Sequence, residues 1–303
     1  MRYGKGKEIK ALKRSAGGIW FDSINYLFML FIVVITLYPF ANQVSISLST
    51  TAGAYSDKIL LIPNPISLDT YKVAFHYDAI WSGFNNSLFR MGLGTLISVV
   101  FTALTAYPLV KKRLPFRKTF IMMILFTMLF NGGLIPNFFL VKELGFLDTI
   151  WALVIPGMIS GFNVYIMAAF FRNLPESLEE SAKIDGAGYF RIFTRIVFPL
   201  SLPVIAVIAL WVAVGHWNEW FASLIYTQDP HKYVLQVVLR RIIIENNTQD
   251  ITTIARQIGK TQAFTTRQMQ ATVIMISTVP MLIIYPFVQK YFAKGVMLGA
   301  VKG

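Results

Sequence analysis

The chain has 303 residues, of which 55% are hydrophobic and 14% are charged, and its formal net charge is +13. This composition is too apolar for a soluble domain with a polar surface, so it predicts an integral membrane protein with one membrane domain. The chain contains no cysteine, which excludes a disulfide framework and thiol chemistry, and the positive charge matches an anionic membrane face rather than nucleic acid.

Six charge-free runs are each long enough for the about 20 residues that a membrane helix needs. They cover residues 23–56, 91–110, 119–141, 149–171, 196–218 and 268–289. We therefore expect an all-α polytopic membrane protein with six transmembrane helices. The first helix is expected near residues 24–41 and uncleaved, because its run lacks a small-residue cleavage site.

The basic residues predict the orientation. Segments 1–22, 111–118, 172–195 and 290–303 contain 18 of the 28 Lys and Arg residues, and five of these lie in the short loop 111–118. The positive-inside rule therefore places both termini and the loop 175–203 in the cytoplasm. The expected organisation is a cytoplasmic N-terminal segment (1–22), a six-span membrane domain (23–292) and a cytoplasmic tail (293–303).

Residues 49–84 mix proline, polar and aromatic residues, and we expect them outside the membrane with a short helix near 68–75. Two interpretations of this segment remain open: a contact surface for a binding protein, and a plain connector.

The third charge-free run contains a possible kink. Asn131 precedes two glycines there, and such residues kink membrane helices or allow close packing.

Residues 175–203 are the strongly charged segment with helical periodicity. Pro175 and the acidic residues after it favour a helix over 175–184, because proline and negative charge suit a helix start. Asp185, Gly186 and Gly188 should end that helix. A second short helix should follow, with Tyr189, Ile192, Phe193 and Ile196 on one apolar face. The small residues at the turn would let the backbone of another protein approach closely.

The spacing in this segment resembles the EAA loop of bacterial ABC importer permeases. Glu180, Ser181 and Ala182 are followed after three residues by Gly186 and after nine more by Ile196, with Phe198 and Pro199 beyond. Ser181 and Phe198 depart from the usual Ala and Leu but keep size or apolarity. The resemblance implies a type I ABC importer permease fold with residues 175–203 docked on a cytoplasmic ATPase; an ordinary solvated loop is the alternative. The implied coupling residues are Glu179, Glu180, Ser181, Ala182, Asp185, Gly186, Ala187, Gly188 and Phe190.

Residues 216–220 form the most polar group beside an apolar run. A carboxylate near membrane depth usually faces a cavity or a partner, and aromatic rings beside an amide can stack on a sugar. The candidate residues for a solute path or gate are Asn131, Trp217, Asn218, Glu219 and Trp220. The alternative is an aromatic belt at the membrane surface. Residues 227–267 should form a long outer segment, with its apolar patches 234–239 and 242–244 on the outer surface of the bundle.

The last residues, 290–303, contain three glycines, so we expect no continued helix there. They resemble the tail of the smaller maltose-type permease subunit, which implies that Gly299 and Lys302 contact the ATPase dimer. A frayed terminus is the alternative.

Together with the run 217–227, these features resemble the carbohydrate branch of the importer family. That resemblance implies a heterodimer with a second permease, two ATPase subunits that hold ATP-Mg, and an extracellular or periplasmic solute-binding protein. The chain itself would be no enzyme and would bind no metal or cofactor, in a bacterial cytoplasmic membrane among its lipids. The alternatives are an ATP-independent secondary transporter or channel, and an ABC permease for a solute other than a sugar.

Overall fold

The computed structural model describes residues 16–54, 61–63, 65–244 and 264–300. Their regular secondary structure is helical, apart from one isolated bridge between Ser49 and Ile66. A π-helical turn, Phe193–Val197, and a 3-10 turn, Pro230–Lys232, accompany the α-helices. The α-helices are α1 (Ala16–Ser47), α2 (Thr51–Ala54), α3 (Asp69–Phe75), α4 (Asp78–Val110), α5 (Arg117–Leu129), α6 (Leu134–Glu143), α7 (Ile150–Val154), α8 (Gly161–Arg172), α9 (Glu176–Ile184), α10 (Tyr189–Ile192), α11 (Phe198–Leu200), α12 (Leu202–Asn218), α13 (Phe221–Tyr226), α14 (Leu235–Ile243) and α15 (Thr266–Ala300).

Three of these helices are long and apolar enough to cross a membrane: Trp20–Ser47, Asp78–Val110 and Thr266–Pro286. Two bent pairs raise the number to five within the described residues, if each pair is one span. They are α5 with α6, bent by 116°, and the segment 189–200 with α12, bent by 79°. The expected fourth span, 149–171, is divided between α7 and α8 around Pro156 and Gly157. The count of six is therefore not confirmed by helix length and composition.

Helix α4 is the element around which the bundle packs, because it contacts α12, α8 and α14. Small side chains let α12 come close. A Cβ at Gly94 would lie 2.4 Å from Nε2 of His216, which is inside contact distance, so the packing requires glycine there. Further along the same helix, Ala103 and Ala106 are fully buried.

The buried apolar side chains form two main clusters. The first joins α3, the start of α4, α14 and the start of α15, and contains Val73, Ile80, Leu235 and Met269. The second joins the end of α4 to α8, α10 and α12, and its members include Tyr107, Phe171, Ile192 and Ile208. The two clusters thus hold opposite ends of α4 in different surroundings.

Helix α1 extends beyond the expected 24–41 and contacts α15. Its large apolar side chains between Trp20 and Tyr38 are exposed, whereas Ser45, Ile46 and Ser47 at its end are buried. An apolar helix exposed in this way needs lipid or another protein around it, since water would leave the apolar surface unburied.

Helix α14 corrects the expectation for the outer segment. Val234, Leu235 and Val237 are buried against α4 and α15, and the patch at Ile242 is buried as well. The apolar residues recur on one face of the helix, and that face packs into the bundle rather than lying on its surface. Helix α3, in contrast, confirms the short helix expected near 68–75.

Candidate coupling and solute-path sites

The segment 175–203 folds as a helix, a turn and a helix, as the pattern predicts. Helix α9 begins after Pro175 and ends at Ile184, and Gly186 follows with φ of +76°, a conformation that favours glycine. The Ala187 N–H donates to the carbonyl of Ala182 at 2.9 Å, which closes the turn. The chain then re-enters a helix at Tyr189.

The turn presents an apolar surface that the described residues leave largely exposed, with the Lys183 ammonium 5.4 Å from the Tyr189 ring centroid. Ile184 is 86% exposed and Phe190 is 72% exposed, and Tyr189 is exposed beside them. A Cβ placed at Gly186 or Gly188 would meet no atom within 4 Å. Exposed large apolar groups next to open backbone are typical of a protein interaction site.

The other predicted coupling residues are arranged around this tip. Glu180, Ser181 and Asp185 are exposed, whereas Ala182 and Ala187 are half-buried against the second cluster. The structure therefore brings together all of the residues that the EAA resemblance implicates, apart from the side chain of Glu179, which turns to another helix.

Glu179 forms an ion pair with Lys111, the residue that caps the end of α4. The Lys111 ammonium also lies 4.3 Å from the centroid of the Tyr107 ring. The Tyr107 ring packs at 5.2 Å, centroid to centroid, from Phe193 in the π-helical turn. These contacts fix α9 and the following turn to the end of α4. In the sequence, Lys111 was informative only as one of the basic residues that predict the membrane orientation. Its pairing with Glu179 could not be predicted, because the two residues lie 68 positions apart.

In the first half of α4, Arg90 holds the break between α12 and α13. Its guanidinium donates to Oε2 of Glu219 at 2.6 Å and to the Glu219 carbonyl at 2.9 Å. It also donates to the Leu153 carbonyl at 3.4 Å. The Arg90 side chain is 3% exposed and that of Glu219 is 33% exposed. Charge-assisted hydrogen bonds of this kind are stronger than neutral ones, and here they join three segments.

Glu219 has a second role in the local structure, since its Oε1 accepts the N–H of Ala222 at 2.7 Å at the start of α13. Sequence reasoning singled out Glu219 but missed Arg90. The available signal was that Arg90 directly precedes the charge-free run 91–110, and a cation beside a span needs an acceptor or water.

The remaining candidates for the solute path have different environments. Trp217 is 2% exposed, its Nε1 donates to the Ser277 carbonyl at 3.2 Å, and its ring packs edge-on to Phe84. In this conformation the Trp217 ring is a packing residue and is not free to stack on a sugar. Asn131 lies apart from the α12–α13 break, in the bend between α5 and α6, where its Oδ1 accepts the N–H of Gly133 at 2.9 Å.

Asn218 and Trp220 are the exposed members of this group. Asn218 is exposed and donates to the Val214 carbonyl at 3.0 Å. Trp220 is 38% exposed, and the guanidinium of Arg240 lies 5.1 Å from its ring centroid. The guanidinium lies over one face of the indole, and the exposed part of the ring can contact a sugar.

A half-open cavity of about 720 Å³ lies between α12, α14 and α15. That volume is within the range of small-molecule sites. The polar groups of its lining are uncharged amides and hydroxyls on an otherwise apolar wall, a composition that suits a hydroxyl-rich solute with apolar ring faces. The lining includes Leu210, Val214, Trp217, Asn218, Gln236, Ser277, Thr278, Met281, Leu282, Ile284 and Tyr285.

A second polar group holds the loop after α6 to the loop after α13. Asp148 accepts an ammonium hydrogen bond from Lys232 at 2.7 Å and backbone N–H groups of Gln228 and Asp229 at 3.0 and 3.1 Å. The Lys232 ammonium and these backbone donors lower the pKa of the Asp148 carboxyl to about 2. The ionised carboxylate thus stabilises the loop contact.

The tail differs from its expectation, because α15 continues to Ala300 and includes Gly295 and Gly299. A glycine costs about 1 kcal/mol in a helix interior, but a long helix adds residues without repeating the cost of nucleation. Lys302 lies outside the described residues, so its predicted contact stays a prediction.

The chain is similar to proteins of known class over most of its length. Residues 79–298 match the family described as binding-protein-dependent transport system inner membrane component. The polygalacturonan/rhamnogalacturonan transport system permease protein YtcP of Bacillus subtilis (strain 168) is 41% identical over 285 residues, which cover 93% of this chain and 98% of that protein. The galactooligosaccharides transport system permease protein GanQ of the same organism is 30% identical, with 92% and 95% covered.

Among solved structures, the chain is similar to one from a bacterial ABC transporter involved in the import of the acidic polysaccharide alginate. The TM-score is 0.88 at 29% identity, and the match covers 93% of this chain and 100% of that one.

Proposed function

This chain belongs to the family of binding-protein-dependent transport system inner membrane components, and we propose that it forms one half of the translocation path of an oligosaccharide importer. As a permease component it carries no ATP hydrolysis of its own, which lies with separate ATPase subunits. Its proposed partners are a second permease, two ATPase subunits that hold ATP-Mg, and an extracellular or periplasmic solute-binding protein.

The observation that carries this proposal is the uncovered tip between α9 and α10. It combines exposed Ile184 and Phe190 with backbone at Gly186 and Gly188 that another chain can approach. The base of the same segment is fixed to α4 through the Glu179–Lys111 ion pair. A surface that is apolar, open and rigidly held suits a subunit that must push and pull on the permease.

An oligosaccharide is the proposed solute class because the relatives are named for polygalacturonan/rhamnogalacturonan and for galactooligosaccharides. The cavity wall of amides, hydroxyls and apolar side chains supports the same class. We assign two residues to solute contact: Asn218, which lines the cavity, and Trp220, which is exposed at the α12–α13 break but is not part of the cavity wall. We assign Trp217 to the packing that supports these two residues and Glu219 to the shape of the α12–α13 break. Asn131 would act on the solute path indirectly, through the bend of the third span.

The proposed topology has six spans with both termini in the cytoplasm. The three long helices and the two bent pairs account for five, and α7 with α8 forms the sixth as a broken span. Broken membrane helices are tolerated where protein or a cavity satisfies their free backbone groups. The basic loop 111–118 supports this orientation, and it places α9 and α10 on the cytoplasmic side.

In this topology the tail would extend from α15 into the cytoplasm. We assign Gly299 and Lys302 to contact with the ATPase dimer, as the resemblance of the tail implies. Import would then proceed by alternating access, in which ATP closes the ATPase dimer and the docked loop moves the bundle between inward-open and outward-open states.

Substitution of Gly186 by Arg tests the docking surface. A long charged side chain at the open turn, where φ is +76°, would block close approach and strain the backbone. Both copurification of the ATPase subunits and solute uptake should be lost, while the permease still accumulates in the membrane. Unchanged ATPase association and uptake would contradict the docking role.

A transporter that works without ATP is the alternative class. It would import solute in membranes that lack the ATPase subunits, whereas an importer permease would not. Uptake measured with and without those subunits therefore separates the two classes.

A further inference from the structure

Helix α4 is anchored by charged side chains at two points, one in its first half and one at its C-terminal end. In the first half Arg90, 3% exposed, holds Glu219 and the carbonyl of Leu153. Close to it, Asn86 donates to the carbonyls of His231 and Tyr233, at 2.8 and 3.0 Å. The first half of α4 is therefore hydrogen-bonded to the α12–α13 break, the end of α7 and the turn before α14.

At the C-terminal end of α4, Lys111 pairs with Glu179 of α9, and the Lys111 ammonium lies against the Tyr107 ring. Tyr107 in turn contacts Phe193 and Phe171. The side chains of the pair are about one fifth exposed, 21% for Lys111 and 19% for Glu179. They are sheltered enough for their attraction to be screened less than that of a surface pair.

The two anchors are joined by one helix, Asp78–Val110, whose Pro108 lies in the last turn. At 1.5 Å per residue, the Arg90 and Lys111 positions are roughly 30 Å apart, about the thickness of the hydrocarbon core. Between them α4 is packed against α8 and α12. A packed helix transmits displacement because its hydrogen-bonded ladder changes length little.

We infer that α4 is the rigid link between the proposed coupling loop and the proposed solute-contact residues at the α12–α13 break, with Lys111 and Arg90 as its positioning residues. Movement of α9 is carried by the Lys111–Glu179 pair into α4, and by Arg90 into the α12–α13 break that holds Asn218 and Trp220. This inference rests on the proposed function, since it assigns a transmission route within that importer.

The test compares solute import with ATP hydrolysis in the complete transporter reconstituted in liposomes with its binding protein. Lys111→Met removes the charge at the α9 end. The number of solutes imported per ATP should fall about 10-fold, within the usual range of coupling between sites. Lys111→Arg keeps the charge and the pairing, so its import per ATP should match that of the parent.

The matched control is Lys112→Met. Lys112 and Glu176 belong to the same two segments, but their groups are 4.0 Å apart and their side chains are 88% and 82% exposed. An exposed pair of this kind contributes little, so the control should import like the parent. Coupling lost equally in both Met variants would overturn the inference, as would coupling lost in Lys111→Arg.

Arg90→Met tests the other end of the same link. If α4 is the link, Arg90→Met alone should lower import per ATP, and the double variant with Lys111→Met should be no worse than either single variant. Multiplicative losses in the double variant, or parent coupling in Lys111→Met, would overturn the inference. Copurification of the ATPase subunits with Lys111→Met separates this result from failure of the docking proposal, which predicts lost association only when the tip is altered.

Discussion

Substitution of Glu219 by Gln should destabilise the isolated permease by about 3 kcal/mol, because it removes the counter-charge of an almost fully buried guanidinium. The Arg90 side chain is 3% exposed, and its strongest hydrogen bond is the one to Oε2 of Glu219 at 2.6 Å. A glutamine keeps an oxygen for the Ala222 N–H, so the helix start is preserved and the loss comes from the unpaired charge.

The double variant Arg90→Met/Glu219→Gln tests whether the unpaired charge of Arg90 causes the loss of stability. Removal of both charges leaves no buried ion without a partner, and apolar groups often replace a buried ion pair at little cost. The double variant should therefore be more stable than Glu219→Gln alone. The exposed pair of Lys72 and Asp69, 3.8 Å apart, gives the control, since Asp69→Asn should change stability by less than about 1 kcal/mol.

The assay is thermal unfolding of the purified permease in detergent, with the same protein and detergent concentrations for each variant. A Glu219→Gln midpoint equal to that of the parent would refute the claim that Arg90 depends on this carboxylate. A double variant less stable than Glu219→Gln would refute the claim that an unpaired charge causes the loss.

Three other results are expected. Trp217→Ala should cost about 3–5 kcal/mol and lower the amount of folded permease, because Trp217 is 2% exposed; an unfolding midpoint equal to that of the parent would contradict its packing role. The pKa of Asp148 is lowered to about 2 from 3.8, so its contribution to stability is present above pH 3.8 and is lost as the pH falls towards 2; Asp148→Asn should remove this dependence in unfolding measured across that window. Leu114→Cys should be shielded from an impermeant thiol reagent in intact cells, where the chain has no other cysteine, and labelling there would reverse the topology.

Local chemistry made the coupling segment predictable from the sequence. The helix expected over 175–184 is found as Glu176–Ile184, and the expected turn contains Gly186 with positive φ. Ile192 and Phe193 are buried on the predicted apolar face, although Tyr189 is exposed. Proline, glycine and helical periodicity act over a few residues, so they can be read without knowledge of the bundle.

The features that could not be predicted from the sequence depend on contacts between residues that are far apart in the chain. The Arg90–Glu219 pair joins residues 129 positions apart, and Trp217 is buried by α4 and α15 rather than by its own helix. The same holds for α14, whose apolar face has a partner in the bundle that its own sequence does not reveal. Asn131 and the two glycines after it did indicate a kink in 119–141, and the bend between α5 and α6 lies there, but its size of 116° depends on packing that the apolar run does not show. The division of 149–171 into α7 and α8 was not expected from its apolar run.

The central claim is that the tip between α9 and α10 contacts an ATPase subunit, and site-specific crosslinking tests it most directly. Ile184 is 86% exposed at this tip, and Ile66 is 73% exposed in the segment 49–84 that is expected outside the membrane, so a cysteine at each position can carry the same photoactivated crosslinker. The native chain has no cysteine to react in their place. We expect the Ile184→Cys variant, and not Ile66→Cys, to crosslink to the ATPase subunit in native membranes. An Ile184→Cys variant that forms no ATPase adduct in a transport-competent complex would contradict the claim.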